Sequence, residues 1–166
     1  PGVPKLAPTW SPDAQLIAYA QPDPGDPGHN IISVTRLADK NTYVLTDDFI
    51  CPGTPPAPCF HNLDADGDII ASQPVLDAGA PAWSPVSNEL LLWSGNVESG
   101  RGQIWKIDAD GENREQLTFP PKPPAGFDYP NSDDPAWSPD GKKIMFNTNR
   151  MIPGDLGEIP RIWVMN

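Results

Sequence analysis

One block of residues occurs three times and limits what the chain can become: Ala7-Pro-Thr-Trp10-Ser-Pro12-Asp13, Ala80-Pro-Ala-Trp83-Ser-Pro85-Val86 and Asp134-Pro-Ala-Trp137-Ser-Pro139-Asp140. Each copy leads, at the same offset, into a short apolar segment: Leu16–Tyr19, Leu90–Leu92 and Ile144–Phe146. A second apolar segment follows in each: Ile32–Thr35, Ile104–Ile107 and Ile162–Met165. The first two copies continue through a polar turn into Tyr43-Val-Leu-Thr46 and Glu115-Gln-Leu-Thr118. Read back from those Leu-Thr pairs, the two copies align without a gap. Self-similarity of this kind means units that cannot bury their apolar faces alone and must stack on one another.

The unit reads as antiparallel sheet. In Pro-x-Trp-Ser-Pro the prolines favour an extended backbone and end ladder pairing, while the indole supplies a large plate to bury. Ser138-Pro-Asp-Gly-Lys142 and Asp108-Ala-Asp-Gly-Glu-Asn113 are turn sequences. Proline presets φ in such turns, Asp bonds its own backbone, and Gly takes φ > 0. Each repeat is therefore expected to form a small sheet of about four strands, and radial stacking of such sheets makes a propeller. The 23 prolines among 166 residues agree with this, because each one removes a helix donor and clashes with the preceding turn.

Pro-Ala-Trp137-Ser-Pro-Asp-Gly-Lys-Lys-Ile-Met-Phe146, then Ile162-Trp-Val-Met-Asn166, with Asp108-Ala-Asp-Gly111 and Leu117-Thr118 from the preceding copy, resembles the repeat of TolB-like β-propellers. The same repeat type occurs in the propeller domains of prolyl-oligopeptidase-type peptidases. The resemblance covers residues 7–46, 80–118 and 134–166, roughly two-thirds of the chain. It implies an all-β fold of four-stranded antiparallel blades, about three of them, as half or a fragment of a six-bladed ring. Trp10, Trp83, Trp137, Pro12, Pro85 and Pro139 are its structural signature. The resemblance also implies association with partner proteins at the bacterial envelope, although propellers of this kind serve as binding scaffolds and as enzymes alike. With catalytic motifs missing, a non-enzymatic protein-binding scaffold is the leading expectation.

Two departures stand out. Trp10 to Trp83 spans 73 residues and Trp83 to Trp137 spans 54, against about 40–45 for a blade of this kind. The first excess is residues 47–79, and a smaller one is residues 119–133. The third copy reaches Asn166 without its outer strand. Three blades fall short of the usual four to eight, so either further blades or a second copy must cover the ends. Both arrangements leave apolar blade faces exposed on the lone chain.

Chemistry-bearing residues are few. Cys51 and Cys59 flank a loop containing four prolines. A disulfide between them would suit a periplasmic or extracellular protein; two free thiols or half of a metal site are the other readings. The start of the chain shows no initiator Met and no signal-peptide regions, which reads as a processed or trimmed end. Asn62-x-Asp64-x-Asp66-Gly67-Asp68 places oxygen ligands at alternate positions, as a hard cation requires. Ca2+ is the one cofactor this leaves open, weakened by Gln73 where a bidentate Glu would stand, and the plain reading is an Asp/Gly turn. No Gly-x-Ser-x-Gly, His-Glu-x-x-His, P-loop or dinucleotide motif is present. His29 and His61 both lie in Pro/Gly-rich loops. An enzyme is therefore not expected from these residues.

Eleven basic against 22 acidic residues, for a net charge of −11, argue against nucleic acid or an anionic membrane as partner. No apolar run is long enough to span a bilayer. A protein partner with a basic or amphipathic segment fits best, on loops 21–29, 95–102 and 149–160 between the second and third strands of each unit. The rival readings are an accessory propeller of a larger hydrolase or enzyme complex, and an extracellular carbohydrate- or calcium-binding module. A homodimer completing a six-bladed ring is a further expectation. If the chain matures in an oxidising compartment, alkylation of the unfolded, unreduced protein is expected to leave Cys51 and Cys59 unmodified. Two added alkyl groups by mass spectrometry would mean free thiols.

Overall fold

The computed structural model describes residues 4–46, 64–67, 77–95, 102–152 and 159–166. Cys51, Cys59, Asn62 and Asp68 lie outside them. Eleven strands and no helix occur among these residues. The first sheet contains β1 (Leu6–Trp10), β2 (Leu16–Pro22), β3 (Asn30–Arg36) and β4 (Thr42–Val44). The second contains β5 (Asp77–Trp83), β6 (Glu89–Gly95), β7 (Gln103–Asp108) and β8 (Glu115–Gln116). The third contains β9 (Ser132–Trp137), β10 (Ile144–Thr148) and β11 (Arg161–Met165). Every neighbouring pair is antiparallel and every sheet follows chain order. The strands β5 and β9 carry the contacts between sheets, β5 against β1–β3 and β9 against β5–β7. These are three consecutive blades of a propeller, as the repeat implied.

Both faces of the middle blade are buried, which explains the unbroken Leu90-Leu-Leu92. Leu90 and Leu92 join Trp83, Trp105 and Ile107 against Ala18, Ile32 and Val34 of the first blade. Leu91 and Ile104 point the other way, onto Ile144, Phe146 and Trp137 of the third. Trp105 and the partly buried Trp163 thus sit between blades, as core residues.

The tryptophans differ in one respect from expectation. Trp83 is 6% exposed but Trp10 is 58% exposed. Each indole packs on the blade before its own, and among the described residues nothing precedes the first blade. Pro81 and Pro135 are likewise buried and Pro8 exposed. The residue before these prolines is also not extended: Ala7, Ala80 and Asp134 have φ of 47°, 46° and 47°. A register shift accompanies each, between Leu6 and Thr9, Gly79 and Ala82, and Met145 and Asn147. A bulge with one left-handed residue therefore replaces the straight strand that the proline suggested, at the same place in all three repeats.

The Leu-Thr pairs close the blades. Leu45 and Leu117 donate N–H to the carbonyls of Ile32 and Ile104 (2.7 and 2.8 Å). The next residue returns the pairing through its side chain: Thr46 Oγ1 accepts from Ile32 N–H at 3.0 Å, and Thr118 Oγ1 from Ile104 N–H at 2.9 Å. At the Ser-Pro turns, Ser11 and Ser138 hydroxyls donate to Asp13 and Asp140 (2.6 and 2.7 Å). The left-handed turn position is Ala14 at φ 55° in the first blade and Gly141 at φ 69° in the third. Above Gly141, a Cβ would meet Val86 Cγ2 at 2.3 Å.

Thr118→Val keeps the shape of the side chain but strips the acceptor from a buried N–H, which costs about 1–3 kcal/mol. Gly141→Ala adds left-handed strain to that clash, at about 1–2 kcal/mol. Urea melts are expected to show both losses, and an unchanged midpoint in either variant would contradict this account of the blade closures.

Candidate functional site

The strand registers bring the second-to-third-strand connections to one end of the blades, where the innermost strands begin. Pro22 faces Asn30 and Thr148 faces Arg161 across those connections, while Asp77 faces Gly95 and Ser132 faces Thr148. Residues 96–101 and 153–158 of these loops lie outside the described set. The first loop is built on its own carboxylates. Asp23 Oδ1 accepts from Gly25 N–H (2.8 Å), Asp26 Oδ1 accepts from Gly28 N–H (3.3 Å), and Asp26 Oδ2 meets His29 Nδ1 at 2.8 Å. His29 is thereby committed to its own loop. Asp26 remains largely open to solvent, at 62% exposure of its side chain.

At the same end, on the face of the third blade turned away from the second, lies a recess of about 350 Å3. Asn131, Asp133, Asp134, Asn147, Asn149 and Pro160 line it. Asn131 Nδ2 donates to Asp133 Oδ2 (2.7 Å), Asn147 Nδ2 to Asp134 Oδ2 (3.2 Å), and Asn131 N–H to Asn149 Oδ1 (2.6 Å). Burial, and then the neighbouring Asp134, push the Asp133 carboxyl above its ordinary value. Two adjacent carboxylates held by amides, one of them half-buried, offer oxygens with which a cationic group can pair. None of these residues stood out in the sequence. Asp134 occupies the Ala7 and Ala80 column, and that departure was the available signal.

The candidate cation loop is only partly described. Asp64 is buried, its Oδ1 accepting from Asp66 N–H (2.9 Å) and its Oδ2 from Tyr129 O–H (2.9 Å). Asp66 is exposed. The described part of the motif is therefore a turn anchored to residues 119–133 through Tyr129. No group of three or more metal-binding side chains occurs among the described residues. On the opposite end of the blades, Tyr43 O–H donates to Ala109 O (2.7 Å) across the first and second blades.

The blade junctions carry a polar bond that the sequence reading missed. Asn30 N–H donates to Asp77 Oδ1 at 2.7 Å, and Gly102 N–H donates to Asn131 Oδ1 at 2.8 Å. Asp77 and Asn131 occupy one column of the repeat, three residues before Ala80 and Asp134, and Asn30 and Gly102 another. Trp93 Nε1 also donates to Asn131 Oδ1 (3.3 Å), and its ring lies so close to Gly102 that a Cβ there would sit 1.6 Å from Nε1.

The raised Asp133 group has a definite pH signature. Its folded-state value lies above the unfolded one, so its ionisation opposes folding. That penalty is absent below the unfolded value near pH 4 and complete above the folded value. Asp133→Asn keeps the amide contact to Asn131 and removes the charge. The variant is expected to gain a few tenths of a kcal/mol at pH 7, after solvent screening, and to converge with the native chain as the pH falls towards 4. Equal stability at both pH values would count against the repulsion. At lower pH, Asp13 and Asp140 act in the opposite sense: Ser11 and Ser138 hold their carboxyls below the ordinary value. Their contribution is present above the unfolded value and lost as the pH falls through the folded one.

No family model and no curated relative matches the chain. Solved structures do. TolB from Acinetobacter baumannii superposes with a TM-score of 0.55 at 20% identity, over 98% of this chain and 29% of that one. The β-propeller domain of the Trilobed protease from Pyrococcus furiosus gives 0.56 at 13% identity, over 99% and 39%. An oligogalacturonate lyase in complex with manganese gives 0.55 at 11% identity, over 89% and 35%. The chain thus spans well under half of each structure it matches. What these proteins share with it is the fold: the chain builds three blades of a β-propeller of the kind seen in TolB.

Proposed function

We propose that this propeller segment is a non-enzymatic scaffold that binds a protein partner outside the cytoplasm, through the acidic loop end of its blades. The observation that carries the reading is the Asp23–Asn30 loop. Its two carboxylates are fixed by backbone N–H groups and by His29, so that they are held at the strand ends with little freedom left to lose on binding. With a net charge of −11 behind it, such a surface attracts a basic or amphipathic segment and speeds its encounter. Loops on a rigid sheet scaffold are the ordinary place for this work. The extracytoplasmic location is supported by the Cys51/Cys59 spacing and the likeness to TolB.

The test is titration of the immobilised chain with a basic amphipathic peptide and with its Lys/Arg→Glu counterpart. The basic peptide is expected to bind, and its affinity to fall roughly tenfold between 50 and 300 mM salt, as screening of exposed charges requires. Asp23→Asn/Asp26→Asn is expected to weaken it at least threefold. Equal binding of both peptides, or an affinity indifferent to salt and to the double variant, would overturn the electrostatic reading.

A further inference from the structure

Residues 119–131 join β8 to β9 at the loop end of the blades, and proline sets the conformation of their first part. Four of the six residues in Phe119-Pro-Pro-Lys-Pro-Pro124 are proline. Each proline fixes its own φ, and Phe119, Pro120, Lys122 and Pro123 each precede one, which holds them in the extended region. The stretch belongs to no helix or strand of the ordinary kinds. It is wound as polyproline II, with three residues per turn and no internal hydrogen bonds. Its burial has that period: Pro120 is buried and Pro123 half-buried, whereas Phe119, Pro121, Lys122 and Pro124 are exposed. One edge therefore lies on the protein. The other two, Pro121/Pro124 and Phe119/Lys122, face outwards.

The segment is tied down on both sides. Phe119 O accepts from Arg150 Nη2 (3.2 Å), and Pro120 O from Ala65 N–H (3.0 Å). At the far end Phe127 N–H donates to Pro124 O (3.1 Å), in a tight turn that Gly126 permits with φ of 90°. Beyond the turn, Tyr129 O–H donates to Asp64 Oδ2 and Gln103 Nε2 to Pro130 O, both at 2.9 Å. Between these anchors, the carbonyls of Pro121 and Pro123 accept no hydrogen bond from any described residue. Exposed phenylalanines flank the prolines, Phe119 at 43% and Phe127 at 46% exposure. Such a segment has little conformational entropy left to lose on binding. Proline rings and open carbonyls on a preformed polyproline II helix are what aromatic-lined grooves read. The Trp and Tyr side chains of such grooves cover the rings and supply the donors.

We propose that Phe119–Pro124 is a docking surface for a protein domain whose groove is lined by aromatic side chains. The groove straddles the two outward edges of the helix. Its rings cover Pro121 and Pro124, and its Trp or Tyr donors meet the carbonyls of Pro121 and Pro123. This surface is distinct from the Asp23–Asn30 loop, and the inference does not rest on what that loop binds.

The test is an NMR titration of the folded, isotope-labelled chain with two probes, an SH3 domain and a WW domain. Each probe is also used as a variant whose groove tryptophan is replaced by alanine. At least one native probe is expected to shift the signals of Phe119, Pro121 and Pro124 and to leave those of Gly25 and Gly28 in place. Its groove variant should not bind. Pro121→Ala/Pro124→Ala alters only exposed positions, so circular dichroism should stay native while affinity falls roughly tenfold, as the loss of two covered rings requires. Asp23→Asn/Asp26→Asn should bind the probe as the native chain does. No shift with either probe, or shifts that map outside residues 119–127, would overturn the docking surface. A double proline variant or a groove variant that binds like its native form would overturn recognition of the proline rings.

Discussion

Burial of one blade by the next is the interaction on which everything else in this molecule rests. A sheet of three or four short strands has two faces, and this chain makes both apolar. Leu90 and Leu92 face the first blade, and Leu91 and Ile104 face the third. Without neighbours such a sheet would expose more apolar surface than its ladder bonds could offset. The contrast between Trp83 and Trp10 shows the dependence directly. The same residue in the same block is core in one repeat and surface in another, and a side chain of that size is worth about 3 kcal/mol when covered.

Stacking apolar plates does not by itself set their register, because dispersion and burial have little directionality. Polar bonds at the edges supply it. The hydroxyls of Thr46 and Thr118 take up N–H groups of the third strands where ladder pairing ends. The side-chain Oδ1 atoms of Asp77 and Asn131 take up those at the start of the same strands, from the following blade. A slip of one residue would leave these buried groups unpaired, which is costlier than the bond itself is favourable. The left-handed residues at Ala7, Ala80 and Asp134 belong to the same logic. Since the strain recurs in every blade, it belongs to the way the inner strand bends and not to any one ligand site.

Two carboxylates enter the core, Asp64 and Asp77, each held there by hydrogen bonds; the other acidic groups named above lie towards the surface. Asp23 and Asp26 shape a loop, Asp13 and Asp140 complete turns, and Asp133 and Asp134 form a recess at an open blade edge. Functions of quite different kinds are built on propellers, so the fold narrows the choice little. The placement of these carboxylates on rigid supports is what the proposed recognition of basic groups rests on.

The blade units, their strand order and their turns were legible in the residues, because Pro-x-Trp-Ser-Pro, Asp-x-Gly and alternating apolar positions act locally, through φ restriction and pleat period. The Leu-Thr pairs were visible as a repeated end, though not as a cap. The recess could not be read in advance. Asp133 and Asp134 are two among 22 acidic residues, and only the bulge and the approach of Asn131 and Asn147 bring them into one pocket. Nor could the fates of Trp10, Trp83 and Trp137 be told apart, since the block around each is nearly the same and only whether a blade precedes it among the described residues decides. Sequence alone determined what each unit is, because those choices are made within a few residues. Tertiary structure decided which faces are covered, which side-chain oxygen meets which N–H across a junction, and where charge collects, because those depend on atoms far apart in the chain.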